Sequence, residues 1–369
     1  MAVAPQKLNC ILPWKALFMD EQDGRVAVLP CCLGWIKQTY GFVDEAPLTE
    51  LWNSPGAQKI RALIASGRQD EVCDRHCKYL TSGRFSEEAW EGRVIDGPAN
   101  FVANQRLNSQ EISERRTVLC SRPMMLKVIS TFRCNIRCTM CFQKHFGPAE
   151  LGIDFWPQIE EHLPYANEAI FQGGEATVDR GFRAFLTGAA LRAHPHVGIG
   201  LITNGTIFDN GLQQAISAVR VQFVNVSINA ARSDTYLAVT NRDVFDSVVA
   251  NTRRWVELSN SHRMGRFPVY ASFVVMRSNF RELPDFVQLA DNIGATVQLQ
   301  MLIGDPGQEN ILRRKELDGA FRDVLDQAER IAGDEAKKQL IGLRTQLPSN
   351  KQIEPSENSR AMGGSVSTR

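Results

Sequence analysis

The chain has 369 residues, 43% of them hydrophobic, and its 42 Lys and Arg against 41 Asp and Glu leave a net charge of +1. That length and apolar content predict a globular chain of two or three units, and the near-neutral balance offers no broad electrostatic footprint for nucleic acid or an anionic membrane. No run reaches the ~18 apolar residues of a membrane helix, and the start lacks a signal peptide's basic region and cleavage site, so a cytoplasmic chain with no membrane or nucleic-acid partner is expected.

Residues 1–83 form the first expected unit and hold Cys10, Cys31, Cys32, Cys73 and Cys77, five of nine cysteines. In a reducing compartment thiols at such density point to metal binding or catalysis rather than disulfides. A small zinc ribbon and a set of buried thiols both stay open for this segment. Between them "LTELWNSPGAQKIRALIASG" reads as helix. Residues 84–122 read as a connector with a short helix over 109–115 and the isolated Cys120.

From 123 to 305 the pattern changes to apolar, β-branched runs at 125–130, 168–172, 198–203, 221–228, 268–276 and 296–302. Amphipathic segments such as 243–259 and 281–293 lie between them, the second opening at Asn279 and closing at Gly294 as caps would. Strands alternating with helices predict an α/β fold with a parallel sheet, wound or closed into a barrel. One or two amphipathic helices are expected over 306–348, and 349–369, polar and rich in Gly, Ser and Pro, reads as a disordered tail.

Unusual residues sit after four of these strands. "STFRCNIRCTMCFQ" places Cys134, Cys138 and Cys141 as C-x3-C-x2-C after the first strand, and Gly173, Gly174 and Glu175 follow the second. The third ends in Thr203, Asn204 and Gly205, and the fourth in Ser227, Ile228 and Asn229. A parallel α/β barrel builds its active site at the C-terminal ends of its strands, so the four segments would converge on one mouth. The cysteines alone admit three readings. They could be one face of a buried helix, a zinc site completed by His145, or three ligands of a [4Fe–4S] cluster whose fourth iron stays open.

The triplet together with a GGE after the second strand resembles the radical S-adenosylmethionine (SAM) superfamily over about 123–305. The resemblance implies a partial (β/α)6 TIM-like barrel in which Cys134, Cys138 and Cys141 hold a SAM-binding [4Fe–4S] cluster. It also implies that Gly173, Gly174 and Glu175 face the methionine amino group, with Thr203, Asn204, Ser227 and Asn229 lining the rest of SAM. The family's stretch that begins S-I-D and runs to a Tyr and an Arg is matched with two departures: Asn229 stands for the usual Asp and Thr240 falls where Arg is usual, with Arg242 as the substitute. In the first unit the order Cys10, Gly24-x-Val26, Pro30-Cys31, a Trp-Asn-Ser helix and Cys73-x3-Cys77 resembles the SPASM or twitch module. That resemblance implies a second, auxiliary [4Fe–4S] cluster on Cys10, Cys31, Cys73 and Cys77, in a small N-terminal cysteine-rich module. Relatives usually carry this module after the barrel, and the Gly24 to Cys31 spacing is longer than usual.

The implied activity is reductive cleavage of SAM to a 5′-deoxyadenosyl radical that takes hydrogen from a substrate, with the auxiliary cluster serving an oxidative outcome. The expected partners are a small-molecule or modified-metabolite substrate and an electron donor such as flavodoxin or ferredoxin. Two rivals stand beside it. One is a redox-neutral epimerase or rearrangement enzyme in which Cys120 returns a hydrogen atom, and the other is a metal-binding regulatory protein without turnover.

Overall fold

The structure is a computed structural model and describes residues 7–22, 25–32, 34–75, 77–141 and 155–347. Gly24, His145 and the tail 349–369 lie outside the described residues. Nine strands form one sheet: β1 (Ala16–Gln22), β2 (Arg25–Leu29), β3 (Gly41–Phe42), β4 (Met125–Ile129), β5 (Glu168–Gln172), β6 (Gly198–Thr203), β7 (Val221–Ser227), β8 (Val269–Val275) and β9 (Thr296–Met301). The order is β3-β2-β1-β4-β5-β6-β7-β8-β9. From β4 to β9 every pairing is parallel and sequential. Crossovers between parallel strands are right-handed, so an order that never reverses stacks the intervening helices on one face.

These six strands match the expected runs to within a residue at each end. The capping expectation holds at one end only. Asn279 precedes a 3-10 turn, Phe280–Glu282, that runs into the helix Leu283–Ile293, but its side chain makes no capping bond and accepts instead from the preceding Met276 amide at 2.7 Å. Gly294 closes that helix in the left-handed conformation, φ 81°. The connector helix is longer than expected, Ala99–Ser113, because its apolar stripe is sparse.

Strand geometry sorts the side chains onto two faces. Leu126, Val128, Phe171, Leu201, Val226 and Phe273 are buried on the helix side. There Phe171 packs among Trp156, Phe182 and Phe185, with ring centroids 4.8–6.1 Å away. The opposite face carries Lys127, Gln172, Asn225, Ser227, Tyr270 and Gln298, as the registers require. A closed barrel fills its interior with branched aliphatic side chains. This face is mixed: the same registers set Ile129, Ile170, Ile202 and Phe223 among those amides, hydroxyls and the ammonium.

The N-terminal strands were not anticipated. β1 and β2 are antiparallel, and β1 pairs parallel with β4 at Ala16↔Met125, so the sheet continues into the cysteine-rich segment. Arg61, fully buried, ties that segment to the connector by donating to the carbonyls of Pro13, Trp52 and Thr117 at 2.7–2.8 Å. Its guanidinium lies 4.5 Å from the Trp52 ring centroid.

Candidate functional site

The three-thiol loop leaves the C-terminal end of β4 and is fastened from several directions. Gly174 donates to Thr131 O at 2.6 Å and Glu175 to Arg133 O at 2.8 Å. A Cβ on Gly173 would meet Thr131 O at 2.4 Å, and one on Gly174 would meet Arg133 O at 2.2 Å. Both positions therefore need glycine so that the β5 loop can lie against the backbone that leads into Cys134.

Glu175 is 1% exposed, and its carboxylate spans two loops. Oε1 accepts from the Thr177 amide (3.0 Å), Thr177 Oγ1 (2.7 Å) and Thr203 Oγ1 (2.8 Å), while Oε2 accepts from the Asn204 amide (2.5 Å). Burial raises its pKa above the usual carboxylate range, and these donors pull the other way. Asn204 then reaches the triplet itself. Its Nδ2 donates to Cys134 Sγ at 3.6 Å and to Asn135 Oδ1 at 2.8 Å. Glycine contact, carboxylate and amide thus bring the motifs after β4, β5 and β6 together.

The fourth motif is placed differently. Ser227 is half-buried on the open face, whereas Asn229, buried with φ 59°, accepts from the Val274 amide at 2.8 Å. Asn tolerates this left-handed backbone better than most residues. Beyond it the helix Ser233–Thr240 ends against the thiol loop: the amides of Arg137 and Thr139 donate to Thr240 O (2.9 Å) and Val239 O (2.8 Å), and Asn241 Nδ2 donates to Arg137 O (2.8 Å). Carbonyls that every helix end leaves without partners thereby hold the residues on either side of Cys138. Arg242 is exposed. Met140 packs against Val239, Met276 and Leu302, so the loop also touches the ends of β8 and β9.

Cys134 is exposed, and Cys138 and Cys141 are half-buried. Burial, then the neighbouring Cys141 and Cys134, push the Cys138 thiol up to about 12, which places the three sulfurs within electrostatic reach of one another. The N-terminal thiols influence one another electrostatically. Cys10 feels Cys73 and Cys77, and Cys31 feels Cys10, Cys32, Cys73 and Cys77. All four are buried; burial raises Cys10 to about 12, Cys73 to about 11 and Cys31 well above its usual range. Among the described residues no group of three His, Cys, Asp or Glu stands as the ligands of one metal ion. A four-iron cluster seats each thiolate on its own iron, a wider arrangement than one zinc imposes at ~2.3 Å per thiolate. Soft donors, three from one loop and four from a buried group, suit iron–sulfur clusters in chemistry.

Two other cysteines stand apart. Cys120 is exposed, lines a shallow surface cavity with Trp52, Asn53 and Arg122, and precedes β4, at the opposite end of that strand from the triplet. Cys32 was left without a role by its sequence, yet its Sγ lies 3.6 Å from Lys127 Nζ and 3.9 Å from the Tyr79 hydroxyl. Lys127 belongs to the open face of β4. The contacts of Asn204 and Cys32 were the features that motif spacing could not supply.

The thiol, GGE and TNG loops thus interlock at the C-terminal ends of neighbouring strands of one parallel sheet. The chain carries a domain of the Radical SAM superfamily, whose family model matches residues 128–290. Among curated relatives, a probable GTP 3',8-cyclase of Saccharolobus solfataricus is 26% identical over 177 residues, 46% of this chain and 53% of that protein. The mycofactocin maturase MftC of Mycolicibacterium smegmatis is 30% identical over 187 residues, 49% of this chain and 45% of that protein. The chain thus spans about half the length of these two relatives. Among solved structures, SuiB of Streptococcus suis aligns with a TM-score of 0.46 and 13% identity, covering 75% of this chain and 63% of that one. No helix among the described residues is long and apolar enough to cross a membrane.

Proposed function

We propose that this protein is a radical SAM enzyme that takes a hydrogen atom from a substrate held against the open face of a partial (β/α)6 barrel, and that it modifies that substrate oxidatively. The observation that carries the reading is the interlock of the loops after β4, β5 and β6, with Asn204 donating to Cys134 and Gly174 seated on the backbone before it. Cys134, Cys138 and Cys141 would hold a [4Fe–4S] cluster, which together with SAM supplies reductive cleavage to a 5′-deoxyadenosyl radical.

The chain's own residues do the rest. Asn204 steadies negative charge on the Cys134 sulfur through its amide hydrogen. Glu175 holds the β5 and β6 loops at a fixed separation, so Gly173, Gly174, Thr203 and Asn204 present a preformed edge to SAM. Ser227 faces the same side, Asn229 fixes the turn behind it, and Arg242 stands at the rim. Met140 anchors the loop against Val239, Met276 and Leu302. Cys10, Cys31, Cys73 and Cys77 would hold the auxiliary [4Fe–4S] cluster of a SPASM/twitch-like module in 1–83, fully ligated and therefore suited to accepting an electron. The substrate is a small molecule or modified metabolite, and the nucleotide and maturation substrates in the relatives' names are the first sources to try. A flavodoxin or ferredoxin would supply reducing electrons.

The test is anaerobic reconstitution followed by incubation with SAM and dithionite. Release of 5′-deoxyadenosine by the wild type, and none from the Cys134→Ala/Cys138→Ala/Cys141→Ala variant with about four of roughly eight irons lost, is the expected result. Continued release from the triple variant would sink the reading.

A further inference from the structure

The open face of the sheet holds a polar group that the fold leaves unpaired. Asn225 on β7 is 8% exposed, and its Nδ2 donates to Gln298 Oε1 on β9 at 2.8 Å, but its Oδ1 is buried without a partner among the described residues. Parallel registers place Asn225 beside Ile202 and Tyr270, and Gln298 beside Ser272, so the amide pair bridges β8 on the open side. A buried acceptor left unpaired is destabilising, so stability alone gives no reason for it.

The ground beside this oxygen is aromatic. Gly200 on β6 has no side chain, and a Cβ there would meet the Phe223 ring at 2.7 Å, so that ring reaches over the strand. Tyr270 approaches it edge-on, centroids 6.3 Å apart at 65°. The open-face neighbours of Asn225 on β6, β8 and β9 are Ile202, Tyr270, Ser272 and Gln298, which carry no carboxylate to pair an ammonium. A neutral donor on a flat, conjugated group fits an unpaired amide oxygen above an aromatic ring.

We propose that Asn225, held by Gln298, is the specificity-determining residue that accepts a hydrogen bond from a neutral N–H on a planar conjugated part of the substrate, an amide or a nitrogen heterocycle. The proposal rests on the reading of the open face as the substrate side. The oxygen is closed from solvent in this structure, so the donor enters as the half-buried Gln298 side chain beside it shifts while its Oε1 keeps the bond from Asn225 Nδ2.

The experiment uses the reconstituted full chain with SAM and no reductant, two probes, guanosine and N-acetylphenylalaninamide, and the variants Asn225→Leu and Asn225→Asp. By calorimetry one probe saturates the wild type; Asn225→Leu weakens it about tenfold, the worth of one hydrogen bond, and Asn225→Asp, which keeps an acceptor, retains it. Guanosine binding identifies a nucleotide source, and amide binding a peptide source. In the probe-free protein Asn225→Leu raises the melting temperature, because it removes an unpaired buried acceptor. A lower melting temperature would mark Asn225 as structural and overturn the proposal, as would unchanged binding in Asn225→Leu, lost binding in Asn225→Asp, or no saturable binding of either probe. No SAM cleavage enters these readings. Failure to release 5′-deoxyadenosine would sink the proposed enzyme and leave them standing.

Discussion

Cys134, Cys138 and Cys141 come from a single loop and remain partly open, whereas Cys10, Cys31, Cys73 and Cys77 come from distant parts of the N-terminal segment and are all buried. The first group is positioned by contacts to its backbone: two glycines beneath it, a helix end beside it and one amide on a sulfur. The second is positioned by the hydrophobic core, where Cys10, Cys31 and Cys73 sit among Leu29, Ile36 and Val72. A loop held by its backbone keeps side chains free to meet a ligand. Thiols held by a core are available only to something that belongs to that core, and burial raises the pKa of Cys10, Cys31 and Cys73, so a metal must displace protons to bind these three. In the proposed reading this difference separates a reacting centre from a sealed one.

The largest effect should come from removing half of the sealed group. Cys73→Ala with Cys77→Ala is expected to lose about half of the bound iron and to abolish product, while 5′-deoxyadenosine release continues. Circular dichroism must first show the barrel folded, since metal often supplies folding energy to such segments. Abundant product from this variant would break the comparison, because the buried thiols would then have no part in the outcome.

Gly174→Ala addresses the open group without touching a thiol. The new Cβ would lie 2.2 Å from Arg133 O and 2.6 Å from Phe132 O, both backbone atoms that cannot rotate away, so the thiol loop must shift. Displacements of about 1 Å at a reacting centre cost on the order of 100-fold in rate. We expect SAM cleavage to fall by about that factor with the N-terminal iron retained. A rate within threefold or so of wild type would show that the loop position is not what SAM requires.

Glu175→Gln should have a smaller effect. All four donors point at its two oxygens, so an amide sets one N–H group against another and should lower unfolding stability by about 1–3 kcal/mol. SAM affinity should weaken with it, because the loop frame loosens. Lost SAM affinity at unchanged stability would instead make the carboxylate a direct acceptor for the methionine ammonium.

Much of this arrangement was legible in the residues. The six parallel strands from Met125 to Met301 were readable because each is a compact β-branched run on a sheet buried by helices, where hydrophobicity leaves little ambiguity. The meeting of Cys134, Gly174, Glu175 and Asn204 followed from their common position at strand ends. The direction of the glycine and Glu175 contacts was not legible, since a motif's spacing does not say whether it faces a ligand or the neighbouring loop. The strands β1 and β2 went unseen although Asp23-Gly24, a common hairpin pair, stands between them. The mixed polarity of β1 and the cysteines after β2 obscured their alternation. Cys120 and Cys32 show the limit most sharply: sequence favoured the isolated thiol, and the fold sets the other beside Lys127 on the open face.

Cys32 gives the finest test of the comparison, with the smallest expected effect. Adjacent side chains of an extended segment point to opposite sides, so Cys31 and Cys32 cannot both join one cluster easily. Cys31 is buried and senses the other three N-terminal thiols, whereas Cys32 is half-buried and turned to Lys127 Nζ and the Tyr79 hydroxyl. Cys32→Ala should therefore keep its full iron content and lose at most about 1 kcal/mol of stability, the worth of weak polar contacts at a half-exposed site. Cys31→Ala should lose the auxiliary iron. Iron analysis of the two variants side by side decides the matter, and the reverse pattern would move the ligand to Cys32 and put Lys127 beside a cluster thiolate, joining the sealed group to the open face.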